Sequence, residues 1–222
     1  MRVLIVSDIH QKASAAEWIN GVIAEEEPDE VFVLGDVTDL GTGEDAARIL
    51  GSIRRRVYAI PGNCDPLDFP EKIGGAAISA HARSYDVGGF HVAFLGGSNR
   101  TIFGTPFEMD EEDISDALEP ISAEGMVLAT HVPAFGALDH IPGGISVGSH
   151  AVRGIVDRFR PIAALSGHVH EDRGIVREGG TLYVNPGPAR DGCCAIVDLR
   201  EGRADAELIG PERTSLLTGS KK

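Results

Sequence analysis

Residues 1–10 read MRVLIVSDIH, residues 30–39 read EVFVLGDVTD, and residues 57–65 read VYAIPGNCD. Each stretch starts with a compact apolar run, which is typical of a buried strand, and then turns polar. Helices with an apolar stripe are predicted between them, from Ser14 to about Glu26 and from Glu44 to Ile53. This β-α-β-α-β opening favours parallel strands with helices packed outside them.

The rest of the chain is predicted to be mostly strands. They are expected at Ala76–Ala80, Ser84–Val87, His91–Leu95, Met126–Thr130, Ile162–Ser166, Gly174–Arg177, Thr181–Val184, Cys194–Leu199 and Ala204–Ile209. Two further helices are predicted, from an Asp110 cap to about Leu118 and near Ser149–Phe159. We expect one α/β domain with two sheets over residues 1–210, followed by a polar C-terminal tail at 211–222.

Composition excludes several classes of partner. The 222 residues include 20 Lys and Arg against 34 Asp and Glu, a net charge of −14. Such a surface repels a polyanion, so we expect no duplex nucleic acid as partner. No apolar run approaches the ~20 residues that span a bilayer, so no membrane partner is expected either. Three cysteines form no disulfide framework and indicate a cytoplasmic protein, whose oligomeric state the sequence leaves open.

Polar side chains with metal-binding chemistry follow five of the predicted strands. They are Asp8 and His10, Asp36 and Asp39, Asn63 with Cys64 and Asp65, His131, and finally His168 and His170. In open α/β sheets, ligands bind beyond the carboxyl ends of the strands, so these groups are expected to meet at one edge. Each motif alone is weak evidence, but their combination indicates a site.

The other four histidines show no such pattern. His81 and His91 lie in or beside predicted strands without an acidic partner, so they are interpreted as structural. His140 and His150 lie in the loop and helix start after His131 and are left open as substrate-side residues.

The set of motifs resembles that of the calcineurin-like metallophosphoesterase family. The matching motifs are D8-x-H10, G35-D36-x-x-D39, G62-N63-C64-D65, H131 and G167-H168-x-H170. The resemblance implies a four-layer α/β/β/α sandwich with two mixed sheets and a dinuclear metal centre. It further implies the ligands: Asp8, His10 and His170 for one ion, Asn63, His131 and His168 for the other, and Asp36 as the bridge.

Two divalent ions explain these residue types. Ions ~3.5–4 Å apart can share a bridging hydroxide, clamp a phosphoryl oxygen and stabilise in-line displacement. Imidazoles mixed with carboxylate and amide oxygens suit first-row metals, so Mn²⁺ is expected first, then Fe or Zn, with Ni or Co as alternatives. The ions also supply the positive potential that an acidic chain lacks.

Four further residues complete the predicted site. Asp39 is expected to orient a ligand histidine, Asp65 to do the same or to fix its turn, and Arg100 to contact a phosphate. Cys64 stands where most relatives carry His, and the resemblance makes that position catalytic together with Asp36, Asn63 and His131. We interpret the thiol as space-filling rather than as a metal ligand.

The predicted reaction is hydrolysis of a small phosphodiester. A thiol donates a proton poorly to an alkoxide leaving group, which disfavours demanding monoesters, and the Cys-bearing subset of the family resembles phosphodiesterases. The alternatives are a phosphomonoesterase, including a protein phosphatase, and a non-catalytic scaffold of the same fold. The complete set of candidate ligands argues against the scaffold.

Overall fold

Strands and helices alternate in the first third of the chain, and strands dominate after it. The computed structural model describes residues 1–211, so the predicted tail at 211–222 lies, apart from Pro211, outside the described residues. The strands are β1 (Arg2–Val6), β2 (Glu30–Val33), β3 (Val57–Ala59), β4 (Ile78–Ser79), β5 (Arg83–Val87), β6 (Phe90–Leu95), β7 (Ser98–Asn99), β8 (Glu108–Met109), β9 (Val127–Thr130), β10 (His140–Ile141), β11 (Ile145–Ser146), β12 (Ala163–Leu165), β13 (Gly174–Glu178), β14 (Thr181–Asn185), β15 (Cys194–Arg200) and β16 (Arg203–Ile209). The helices are α1 (Ala13–Glu26), α2 (Gly43–Leu50), α3 (Phe69–Lys72), α4 (Glu111–Leu118) and α5 (His150–Phe159).

Two six-stranded mixed sheets form the centre of the fold. The first has the order β16-β15-β1-β2-β3-β4, with β1 to β4 parallel and β15 antiparallel to β1. The second has the order β13-β14-β12-β9-β6-β5, with β14, β12, β9 and β6 parallel and both edge strands antiparallel. Each sheet therefore has a parallel centre, whose carboxyl ends carry the loops predicted to hold the site.

Three apolar cores separate four layers. The middle core lies between the sheets, where the Phe94 ring of the second sheet contacts Phe32 and Tyr58 of the first at centroid distances of 5.1 and 5.8 Å. A second core packs α1 and α2 against the first sheet, and a third packs α4 and α5 against the other. The predicted four-layer α/β/β/α sandwich is confirmed.

Side chains cap two of the helices within residues 1–211, α2 and α5. Ser149 accepts a hydrogen bond from the Val152 backbone N–H and caps α5, at the start of the helix predicted near Ser149–Phe159. Thr42 and Asp45 form a reciprocal capping box, and α2 begins at Gly43, one residue before the predicted start. Asp110 stands at the start of α4 but does not cap it, because its carboxylate pairs with Arg100 instead.

Among residues 1–211, no helix has both the length and the apolar character that crossing a bilayer requires.

His81 is a structural histidine, as its sequence context predicts. Its Nδ1 accepts a hydrogen bond from the Gly96 backbone N–H at 3.1 Å, and its ring meets Phe107 edge-on at 5.0 Å. Burial lowers the pKa of His81 from 6.5 to about 4, because the charged ring would lose its hydration.

We predict that His81 makes the protein acid-sensitive between pH 6.5 and 4. In this window the unfolded chain binds a proton that the folded chain does not, so stability falls as pH falls, by roughly 1.4 kcal/mol per unit of pKa difference. In urea unfolding of the metal-free protein, His81→Gln should lose less stability across the window than wild type. The exposed His91→Gln serves as control, and equal losses in wild type and His81→Gln would contradict the prediction.

Candidate functional site

The predicted ligand residues meet at one edge of the sandwich, between the two sheets. The loops after β1, β2 and β3 of the first sheet and after β9 and β12 of the second carry Asp8, His10, Asp36, Asn63, His131, His168 and His170. Backbone hydrogen bonds tie neighbouring loops together, from the Asp8 N–H to the Gly35 carbonyl at 3.0 Å and from Gly167 to His131 at 3.0 Å. The sheets therefore bring together groups that are up to 162 positions apart in sequence.

Asp8, His10 and His170 form the first half of the site. Asp8 Oδ1 lies 3.1 Å from His170 Nε2 and 3.8 Å from His10 Nε2, and the two Nε2 atoms are 3.4 Å apart. Asp8 Oδ1 and His10 Nδ1 are buried, and neither has a well-aligned hydrogen-bond partner within residues 1–211. One carboxylate oxygen and two imidazole nitrogens, all able to coordinate a metal, thus lie around one small volume, which is the arrangement a divalent ion requires.

Asp36 lies between the two halves. Its Oδ2 is 3.7 Å from His10 Nε2, and its Oδ1 is 3.7 Å from His131 Nε2. The Cys64 backbone N–H donates to Oδ1 at 2.8 Å and holds the carboxylate in this orientation. The two oxygens of one buried carboxylate therefore face histidines of different sheets.

Asn63 and His131 form the second half of the site, where a hydrogen-bond acceptor atom of each residue faces that of the other. His131 Nδ1 lies 2.7 Å from the Leu34 carbonyl, which can only accept, so Nδ1 carries a hydrogen, and in the tautomer that coordinates a metal the lone pair is at Nε2. That lone pair faces Asn63 Oδ1 at 3.0 Å. Two acceptors at this distance repel each other unless a cation lies between or beside them, so the pair fits a metal site. The His168 ring adjoins His131 at a centroid distance of 5.0 Å.

The orientation of the Asn63 amide is fixed by residues that the sequence analysis did not single out. Thr105 Oγ1 donates to the Glu108 carboxylate at 2.7 Å and accepts from Asn63 Nδ2 at 3.0 Å, which turns Oδ1 towards His131. Burial opposes the charge of Glu108, but hydrogen bonds from Thr101 and Thr105 outweigh it and lower the pKa of Glu108 to about 2. The only local signal was the Thr-x-x-Glu spacing of Thr105 and Glu108, which also occurs in ordinary turns.

Protonation states also suit metal binding. Burial lowers the pKa of His168 to about 3, with His131 adding to the effect, and burial likewise lowers the pKa of His10. Burial opposes charge on Asp8 too, but the proximity of His170 and His131 outweighs it and holds the pKa of Asp8 below its ordinary value. The same Asp8 carboxylate outweighs burial at His170 and raises the pKa of that ring. Neutral His10 and His168 beside an ionised Asp8 are forms that coordinate a cation, whereas His170 must give up the proton that Asp8 favours before it can bind one.

Several ligand positions have a strained backbone. Asp8, His10, Asp36 and His168 have φ values of 59°, 47°, 48° and 67°, in the left-handed region that side chains with a Cβ rarely occupy. Such conformations cost about 1–3 kcal/mol each and cluster at functional sites, where surrounding structure enforces them. Here each chain turns sharply at the end of its strand and directs its side chain into the gap between the sheets.

The motif glycines keep the carboxylates in place. A Cβ on Gly62 would overlap the backbone nitrogen and Oδ1 of Asp36, and a Cβ on Gly167 would overlap Ser7 and lie 2.8 Å from Asp8 Oδ2. Glycine is therefore required at both positions by the close approach of a ligand carboxylate.

Asp65 fixes the turns around the site. Its buried carboxylate accepts hydrogen bonds from the backbone N–H groups of Gly62, Val37 and Thr38 and from the Thr38 hydroxyl, which joins the loops after β2 and β3. Burial and the nearby Asp36 raise the pKa of Asp65 to about 6. Of its two predicted roles, the geometry corresponds to fixing the turn.

Asp39 is exposed, and its Oδ1 lies 3.9 Å from His10 Nδ1. This distance is too long for a hydrogen bond, but the carboxylate lies beside a ring nitrogen of a candidate ligand histidine, which Asp39 was predicted to orient.

Cys64 is half-buried beside the carboxylates. Its Sγ lies within 4.8 Å of ligand atoms on His10 and Asp36, and the Asn63 amide donates to it at 3.5 Å. Burial raises the pKa of the Cys64 thiol well above its ordinary value, and the charge of Asp36 adds to the shift. The thiol is therefore protonated in the absence of metal and is a weak acid.

Arg190, which the sequence analysis passed over, lies at the rim of the site. Its guanidinium is 3.2 Å from His170 Nδ1. It follows the Asn185-Pro-Gly-Pro turn, whose rigidity was the one local signal for it. Arg100, the predicted phosphate contact, instead pairs with Asp110 at 2.9 Å and lines a cavity that also reaches His168 and His170.

The two histidines left open have other partners. His140 Nδ1 lies 3.0 Å from Asp172 Oδ2, and the His150 ring stacks on Phe135 at 4.0 Å.

The four-layer sandwich carries at its strand ends a buried carboxylate–histidine site that could hold divalent ions. The family model described as calcineurin-like phosphoesterase matches residues 1–172, and the chain belongs to that family. The resemblance drawn from the sequence motifs is confirmed.

Individual relatives are distant. An uncharacterised protein of Methanocaldococcus jannaschii is 28% identical over 197 residues, which cover 85% of this chain and 88% of the relative. A dimetal phosphatase from Danio rerio superposes with a TM-score of 0.64 at 14% identity, covering 95% of this chain and 96% of that one. A protein described as a novel archaeal phosphodiesterase gives a TM-score of 0.53 at 14% identity, covering 94% and 100%. At these identities the two structures show a shared fold.

We predict that Gly62→Ala weakens metal binding at least about tenfold, because the new methyl group displaces the Asp36 carboxylate. Mn²⁺ affinity measured by calorimetry checks this. Gly154→Ala in α5, where a Cβ meets nothing within 4 Å, is the matched control and should bind as wild type does. Unchanged affinity in Gly62→Ala would show that Asp36 does not hold metal in this orientation.

Proposed function

We propose that the protein is a dinuclear metal-dependent phosphodiesterase that hydrolyses small phosphodiesters. The observation that carries the proposal is the Asp36 carboxylate, whose two oxygens face His10 and His131 at 3.7 Å each. A carboxylate shared between two sets of histidines is suited to bridging two ions. The pair of facing acceptors at Asn63 and His131 supports the second ion independently.

Asp8, His10 and His170 would hold one ion, and Asn63, His131 and His168 the other. Imidazole with carboxylate and amide oxygen favours Mn²⁺, with Fe, Zn, Ni or Co as alternatives. When bound, such a pair supplies an activated water and positive charge for the phosphoryl oxygens.

The residues of the chain position these groups and control their protonation. Leu34 fixes the His131 tautomer through its carbonyl, and the Cys64 backbone N–H orients Asp36. Arg190 adds a cation beside His170, where an anionic substrate gains from it. In a chain of net charge −14, a cationic group at the site itself favours small phosphate esters over duplex nucleic acid, which the acidic surface repels.

Cys64 favours diesters over monoesters. The thiol has a raised pKa and is shorter than imidazole, so it gives little proton assistance to a leaving alkoxide. A diester with a good leaving group needs that assistance least. Fold neighbours include both a phosphatase and a phosphodiesterase, so this preference depends on the Cys64 argument and on its test. The free cysteines are compatible with the cytoplasmic location predicted from the sequence.

The proposal predicts that Asp36→Asn loses both ions and at least about 10²-fold in turnover, because an amide cannot bridge two cations as a carboxylate does. Metal content by mass spectrometry and hydrolysis of bis(p-nitrophenyl) phosphate with added Mn²⁺ check the two parts. Asp116→Asn, on the exposed face of α4, is the control for loss of one negative charge. Two bound ions and normal turnover in Asp36→Asn would remove the dinuclear proposal.

A second prediction concerns substrate class. Wild type should hydrolyse a p-nitrophenyl diester faster than p-nitrophenyl phosphate, which has the same leaving group. Cys64→His should raise the monoesterase rate selectively, by up to about tenfold, because well-placed acid catalysis is worth ~10²–10⁴ and an unoptimised ring recovers only part.

Cys64→Ala separates the two interpretations of the thiol. It should keep both metal ions if the thiol only fills space and lose metal if it is a ligand. Equal wild-type rates on the two substrates, or a ratio that Cys64→His does not move with both ions bound, would contradict the diesterase assignment.

A further inference from the structure

A cavity of about 680 Å³ opens directly beside the site. Its inner end is formed by His168 and His170, and its outer walls by the loop with Ile102 and Phe103 and by the β10–β11 hairpin with Ile141. Small-molecule sites have volumes of ~300–1,000 Å³ and mostly apolar walls with few polar groups. The cavity thus has the size of an organic substituent, and it adjoins the position where a phosphate would bind.

Two exposed apolar side chains lie on the outer wall of the cavity. Ile102 is 96% exposed and Phe103 is 79% exposed, next to each other in one loop. Single exposed apolar residues are common on proteins, but two adjacent ones at the mouth of a cavity form a binding surface that an apolar group can cover.

Hydrogen bonds hold both walls in place. Glu108 accepts from the backbone N–H and hydroxyl groups of Thr101 and Thr105, which flank Ile102 and Phe103. On the opposite wall, the Asp172 carboxylate accepts from the backbone N–H of His140 at 2.9 Å and tethers the hairpin to the segment that carries His170. The cavity is therefore formed before any ligand binds, which lowers the entropic cost of binding.

The charged side chains along the cavity favour an uncharged substituent of the substrate over an anionic one. Arg100, the one guanidinium on its wall within the described part of the chain, is paired with Asp110, and Glu171 adds an unneutralised carboxylate. Arg190 lies only at the inner end, beside His170. Along the rest of the cavity, a second phosphate or a carboxylate on the substrate would meet this negative charge, whereas an aromatic or aliphatic group would not.

We propose that this cavity binds an uncharged, apolar ester substituent of the phosphodiester, and that Ile102 and Phe103 determine this specificity. The proposal rests on the proposed function, because it needs the phosphoryl group held at the adjacent site. It narrows the substrate class to diesters with at least one aromatic or aliphatic group about the size of a benzyl ring or larger.

Phosphinates test the proposal without turnover, since they carry the monoanionic PO₂ group of a diester and no ester bond. Calorimetry with Mn²⁺-loaded protein compares benzyl(methyl)phosphinate with dimethylphosphinate. Wild type should bind the benzyl compound about tenfold more tightly, the gain expected from burying part of one ring.

The variant Ile102→Ser/Phe103→Ser should reduce this ratio to about one and leave the affinity for dimethylphosphinate unchanged, which also shows that the phosphate site is intact. Val176→Ser, an exposed apolar position on β13 outside the cavity, is the control and should keep the wild-type ratio. Equal wild-type affinities for the two phosphinates, or a ratio that the double variant does not alter, would overturn the cavity proposal alone. Binding of neither compound would overturn the proposed function and the cavity proposal with it.

Discussion

Face-to-face packing of the two sheets is the constraint on which the site depends. Phe32 and Tyr58 of the first sheet meet Phe94 of the second in the middle core, and this contact fixes how the sheets lie on each other. Because the central strands of each sheet are parallel, their carboxyl ends lie at common edges, and the packing brings the two edges together. The three His and Asp residues after β1 and β2 can then face the three His residues after β9 and β12 across a narrow gap.

The site concentrates destabilising features that this packing must enforce. Buried carboxylates, imidazoles with depressed pKa values and left-handed backbone at four ligand positions all oppose folding. Facing acceptors on Asn63 and His131 add repulsion. A cation bound at this site would offset the burial of the carboxylates and the repulsion between the facing acceptors, so metal binding would stabilise the folded chain. The apolar cores on both sides of the sheets provide the stability that holds the site in this form without metal.

One chain of hydrogen bonds connects a candidate metal ligand with the wall of the proposed substrate cavity. Glu108 holds Thr105, Thr105 orients the Asn63 amide, and the same Glu108 fixes the loop that presents Ile102 and Phe103. A change at Glu108 therefore affects both a candidate metal ligand and the proposed wall of the cavity. Substitutions in the loop between β7 and β8 can therefore alter the proposed cavity freely only where they leave the hydrogen bonds that orient Asn63 intact.

The motifs implied the four-layer sandwich through their resemblance to a known family, and the sequence by itself determined the parallel opening and the identity of the residues at the strand ends. These features depend on local patterns, since an apolar run followed by Asp-x-His or Gly-Asn-Cys-Asp is readable without knowing its neighbours. The residues that cap helices were less predictable from the sequence. Asp110 could either cap α4 or pair with Arg100, and the folded chain shows that it pairs with Arg100. The tertiary structure alone decided that Asp65 joins two loops, that Thr105 and Glu108 orient Asn63, and that Arg190 lies beside His170. Those contacts link residues far apart in sequence whose side chains have many alternative partners, and only the packing of the sheets selects one of them.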